Sequence, residues 1–128
     1  MRKAATFAVL IGIAVGGNTG WAHHSFADTY LESKTVTVQG KLVHFLYRNP
    51  HSFVQIEAKD AKGVMQQWAV EWGGAGQLSR DGITPDSLRP GDVVSVTGNP
   101  SRNPAEHRLR MQSIRRVPDG FKWRGIVE

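Results

Sequence analysis

The sequence predicts a mainly β protein, a five-stranded Greek-key barrel with a short helical connection between its third and fourth strands. Three observations carry this reading. Five segments are rich in β-branched and aromatic residues with apolar positions two apart. Glycine, proline, asparagine and aspartate separate them at short intervals. Only the stretch after the third segment offers signals that start and stop a helix.

The first strand runs over "TVTVQGKLVHFLY", Thr35 to Tyr47. Val36 and Val38 are out of phase with Val43, Phe45 and Tyr47, so a bulge or bend near Gly40 is expected in a long strand that curls around a small barrel. Asn49-Pro50 ends it, because proline cannot donate to a ladder. A second strand is expected from about His51 to Ala58 and a third from about Val64 to Trp72, joined through Asp60-Ala61-Lys62-Gly63. Val54, Ile56 and Ala58 share a face with Val64, Trp68, Val70 and Trp72 only if facing residue numbers sum to an even value such as 122 or 124. That requires a bulged turn. It also sends His51 and Glu71 to the face away from the core, within about 5 to 8 Å of each other at Cβ.

A short helix is expected over Ala75 to Arg80, stopped by Gly82, and a single helical turn from Thr84 as N-cap through Pro85 to Pro90. Gly91 to Gly98 reads as the fourth strand and Arg108 to Val117 as the fifth, with Asn99, Pro100, Asn103 and Pro104 in the loop between. Three strands, a helical connection and two strands is the order of an OB-like barrel. Another small all-β barrel or sandwich is the alternative.

The front of the chain reads as an export signal over residues 1 to 22. Arg2 and Lys3 precede an apolar run from Ala4 to Val15, and Gly20-Trp21-Ala22 is a small-x-small cleavage site. Gly16, Gly17, Asn18 and Gly20 break the run short of the roughly 20 residues a membrane span needs. There is no cysteine, which excludes lipid attachment through cysteine and disulfides alike. Cleavage after Ala22 leaves 128 − 22 = 106 residues, one barrel over residues 23 to 128 with a flexible arm over about 23 to 33. Loss of Arg2 and Lys3 lowers the net charge from 16 − 11 = +5 to 14 − 11 = +3. Basic residues concentrate after Ser101, where they suit either an anion or a solvated edge strand.

Such processing makes His23 the first residue. Its α-amino group, with a pKa of roughly 8, gives up a proton to a metal near neutral pH. Amine and imidazole nitrogens of one residue then chelate a cation, and a further imidazole completes a histidine brace suited to copper. Copper is favoured over zinc because thiolates are absent and the amine is present. His51, fixed at a strand start, is the better further ligand, and His24 is the alternative. Glu71 is placed to supply an oxygen ligand or to orient an imidazole. His44 reads as a partly buried strand residue and His107 as an exposed loop residue.

His23-His24-Ser25-Phe26, Asn49-Pro50-His51, the "WAVE" segment Trp68 to Glu71, and "DSLRPGDVVSVTG" from Asp86 resemble a family of small exported bacterial proteins catalogued as a domain of unknown function. The resemblance spans essentially the whole mature chain, departing at "GGAGQL". It implies an exported β-barrel protein and assigns no activity.

Copper binding through the mature terminus is therefore the expected role. The alternative is a metal-free module that uses the barrel face, with Tyr47, Phe53 and the tryptophans, together with the basic C-terminal strand. Its partner would be an envelope protein, a glycan or an anionic lipid head group, since export disfavours nucleic acid. No catalytic residues are assigned, because no nucleophile with its base, phosphate-cradling loop or paired acid and base stands out. A copper-dependent oxidation is the one enzymatic chemistry the residues leave open.

Overall fold

A computed structural model describes residues 25 to 128 of the chain. Six strands form: β1 (Val36–Leu46), β2 (Phe53–Lys59), β3 (Met65–Glu71), β4 (Val93–Pro100), β5 (Arg108–Val117) and β6 (Lys122–Arg124). Two short helices, α1 (Phe26–Thr29) and α2 (Ala75–Arg80), precede β1 and follow β3. Neighbouring strands run in the order β3-β2-β1-β4-β5-β6, and a parallel pairing of β3 with β5 closes the first five into a barrel. This is the OB-like Greek-key topology, with α2 between β3 and β4 as the sequence predicts. The sixth strand was not foreseen. It is three residues long and folds back on β5 through Pro118-Asp119-Gly120, which brings the largely buried Trp123 against Trp72 at 5.3 Å between ring centroids.

Alternation sets the core. Val38 and Leu42 from β1, Val54 and Ile56 from β2, Val70 from β3, Val94 and Val96 from β4, and Leu109, Met111 and Ile114 from β5 all point inward. Trp72, Leu78 of α2 and Leu88 plug one end with Trp123. The β2–β3 register sums to 124, as in Val54↔Val70 and Ile56↔Trp68. The turn is bulged: the Asp60 N–H donates to the Val64 carbonyl at 2.8 Å, and Gly63 sits at φ 79°, the left-handed region that glycine enters without steric cost. Val64 consequently faces solvent in the turn, not the core.

Three further expectations are corrected. The bulge in β1 lies at Val43, where the pairing with β2 slips between Leu42 and His44, and not at Gly40. The inward set therefore passes from Leu42 to Phe45 and leaves Val43 outside. Gly40 answers a different need, since a Cβ there would stand 2.1 Å from the Glu57 carbonyl oxygen and 2.8 Å from Ile56 Cγ2. Because backbone cannot yield as a side chain can, Gly40→Ala is expected to cost about 1–3 kcal/mol in urea unfolding. His44 is exposed on the outer face rather than partly buried. Thr84 to Ser87 forms a hydrogen-bonded turn instead of a helical one: the Thr84 N–H donates to Ser87 Oγ at 2.9 Å, and the Ser87 N–H donates to the Thr84 carbonyl at 3.0 Å.

The arm is docked where the sequence suggested mobility. Tyr30 is fully buried and bridges to Ser101, and the Leu31 N–H donates to the Pro100 carbonyl at 2.9 Å. Arg102 Nε donates to the Ala27 carbonyl at 2.7 Å. Phe26 and Tyr30, four residues apart, fall on the same side of α1 and pack on the barrel together, the spacing expected of a helical turn.

Candidate functional site

Where β2 and β3 leave the barrel, their pairing continues one step beyond Phe53↔Glu71: the Trp72 N–H donates to the Ser52 carbonyl at 2.8 Å, and Ser52 is fully buried. His51, Phe53 and Glu71 thereby share the outer face. His51 Nδ1 and Glu71 Oε1 are 2.7 Å apart, closer than strand geometry alone dictates. Glu71 is buried although it lies outside the barrel, because Tyr30, His51 and Arg108 gather on it. Its second oxygen, Oε2, accepts from the Tyr30 hydroxyl and from Arg108 Nη2 at 3.2 Å. With donors on both oxygens, Glu71 is committed to holding neighbours, and the imidazole presents Nδ1–H to it.

The other ring nitrogen, Nε2, faces outward and lies 3.1 Å from the main-chain oxygen of Glu128. That tail is itself tied down. Gln77 Nε2 donates to the Ile126 carbonyl at 2.7 Å, Arg110 Nη2 donates to the Val127 carbonyl at 2.8 Å, and Arg80 pairs with the Glu128 carboxylate at 2.9 Å. Phe26 completes the surround. Its ring stacks on His51 at 5.4 Å and 27°, and the Arg110 guanidinium lies over it, 3.7 Å from the ring centroid.

Burial, reinforced by the hydrogen bond and charge of Glu71, holds the Tyr30 hydroxyl well above the usual tyrosine range. A phenol that keeps its proton more tightly when folded favours the folded state at every pH below the unfolded value of about 10, and this contribution is lost as pH rises beyond it. Stability is therefore expected to fall in alkaline thermal-melt series above about pH 10, and Tyr30→Phe to remove that component of the loss.

His23, the first proposed ligand, and His24, the alternative to His51, lie outside the described residues. Of the four candidates, His51 and Glu71 are thus the pair the structure places, and they are in direct contact. His44 stands opposite Gln55 near the C-terminal end of β1, exposed, and His107 packs edge-on against Trp68 at 5.1 Å; neither contacts His51 or Glu71. Among the described residues no group of three or more His, Cys, Asp or Glu side chains is placed to hold a metal ion. The proposed stacking platform is largely used for packing. Trp72 is fully buried, and the Tyr47 hydroxyl donates to the Ala75 and Ile83 carbonyls at 3.1 and 3.0 Å. Tyr30, Arg108 and Phe26 were missed by sequence reasoning. The helical spacing of two aromatics within an otherwise polar arm was the available signal.

A barrel that buries a histidine-holding carboxylate under its own N-terminal segment is the class the fold and site define. The chain belongs to a family described as a family of unknown function (DUF6152), whose model matches residues 10–110. No curated protein matches it. Among solved structures it is similar to the mitochondrial single-stranded DNA binding protein Rim1 of S. cerevisiae, at 12% identity and a TM-score of 0.49, over 68% of this chain and 97% of that one. No helix among the described residues is long and apolar enough to cross a membrane.

Proposed function

We propose that the protein is exported, is processed after Ala22, and binds copper through the α-amine and imidazole of His23 together with Nε2 of His51. The stacking of Phe26 on His51 carries this reading. His23 precedes Phe26 by three residues, and an extended chain of that length reaches no farther than about 11 Å. The mature terminus therefore starts within reach of the ring it has to meet.

Glu71 supports the same reading from the other side of the ring. A carboxylate on Nδ1 fixes the tautomer and orientation of a ligating imidazole and raises its basicity, leaving Nε2 for the metal. Nε2 donates to the main-chain oxygen of Glu128 only while it carries a proton, so ligation releases that proton together with the contact, and an exposed hydrogen bond of that kind is worth only about 0.5–1.5 kcal/mol. Metal ligation by nitrogen donors exceeds that several-fold. Copper suits the donor set, three nitrogens with no thiolate, better than zinc. His24 is the reserve nitrogen for the same ion. The role assigned to the site is binding, in storage, delivery or sensing.

The test is the mass of the N-terminus of the exported protein, followed by metal analysis of the same sample. Export with His23 as first residue and one copper per chain is the expected result. A different first residue, or copper bound equally well by His51→Ala, rejects the brace.

A further inference from the structure

Independently of the metal site, we infer that the outer face of β1, β4, β5 and β6 binds an acidic polysaccharide. The strand registers place two rows of side chains across this face. One row is Thr37, Thr97, Ser113 and Arg124, and the next is Gln39, Ser95, Arg115 and Lys122. Residues between them in sequence, Val38, Val96, Ile114 and Trp123, are in the core, so both rows face outward. A cleft of about 550 Å³ opens over their β4, β5 and β6 members, with Ile114 and Trp123 also in its lining.

The charges in these rows are all of one sign. Arg115 lies directly opposite Lys122, with Arg124 on the diagonal, and all three are exposed. Among the described residues none of the three enters an ion pair, whereas Arg80, Arg108, Arg110 and Arg116 each do. Residues 1 to 24 contain no Asp or Glu and so offer no carboxylate either. Like charges directly opposed across a strand pair destabilise a sheet. The arrangement is complementary to a ligand that brings several anionic groups.

The neutral part of the face selects the kind of anion. Four hydroxyls and the Gln39 amide stand beside the cations, and Thr37 and Thr97 hydrogen-bond each other at 2.8 Å. Such groups donate to and accept from sugar hydroxyls in the intervals between acidic groups, with strands about 4.8 Å apart setting the spacing. Single-stranded nucleic acid calls for aromatic platforms on which bases stack, and neither row contains an aromatic side chain. Trp123 lines the cleft but is largely buried, with its Nε1–H given to Asp81 at 2.9 Å, so its ring is no open platform for a base. A bilayer surface calls for apolar side chains standing above the charges, and the exposed apolar residues Val43, Val64, Met65, Val93 and Ile126 all lie outside these rows.

The experiment is titration of the mature protein with polygalacturonate oligomers, with neutral dextran, an oligonucleotide of matched charge and phosphatidylglycerol vesicles in parallel. The comparison protein carries Arg115→Gln, Lys122→Gln and Arg124→Gln. Binding to polygalacturonate that weakens with salt is expected, falling about tenfold or more in the triple variant, while dextran is not bound. The variant is expected to melt no lower than the parent, since it loses only opposed charges. Equal binding by parent and variant, no binding of polygalacturonate, or tighter binding of the oligonucleotide or vesicles would overturn the assignment. Copper affinity should be the same in both proteins, which separates this test from that of the metal site.

Discussion

Placing a single methionine before His23 is expected to weaken Cu(II) binding by about 100-fold or more in competition titrations against a chelator. The extension removes the free α-amine from the chelate and pushes the His23 ring away from the terminus, so two of three nitrogens are compromised together. Each tenfold loss corresponds to about 1.4 kcal/mol, and forfeiting a chelating nitrogen from a preorganised site exceeds twice that amount. The fold should be indifferent, because the core and the docking of Tyr30 lie downstream of the change. An extended protein with unaltered melting temperature and unaltered copper affinity would remove the terminus from the site.

The second large effect is expected at Glu71. Glu71→Gln keeps the shape of the side chain but turns an acceptor of three contacts, from His51, Tyr30 and Arg108, into a group with its own donors. Breaking a buried pair by removing one partner costs up to about 5 kcal/mol, and the partial exposure of Arg108 brings the expectation down to about 3 kcal/mol. For a chain of this size that is a fall in Tm of more than about 10 °C by calorimetry. The same substitution frees the His51 ring to rotate, and loss of such a carboxylate lowers metal affinity by about 10- to 100-fold. Tyr30→Phe provides the comparison. It removes one hydrogen bond while leaving Glu71 on His51, so it should cost stability without a matching loss of copper.

The strand order was legible because side-chain alternation in β2 and β3 leaves only an even register, and turn residues mark every boundary. From that register alone His51 and Glu71 fall on one face, and the fold places them in contact. The burial of Glu71 was not legible. It depends on α1 folding over the outer face, a long-range packing event between Tyr30 and residues about forty positions away, for which local patterning holds no signal. The tail contacts were equally hidden, since they join Ile126 and Glu128 to Gln77 of α2 and Glu128 to His51 ahead of β2, residues far apart in sequence. The shifted bulge has a local cause. Sequence periodicity locates a phase change only to within a few residues, and the close approach of Gly40 to Glu57 and the slip at Val43 are separate features of one strand.

Electron paramagnetic resonance of the Cu(II)-loaded mature protein, alongside its His51→Ala variant, tests the central claim most directly. The account predicts a tetragonal signal with coupling to three nitrogens that changes, with loss of one of them, when His51 is replaced. An identical spectrum from the two proteins would contradict it.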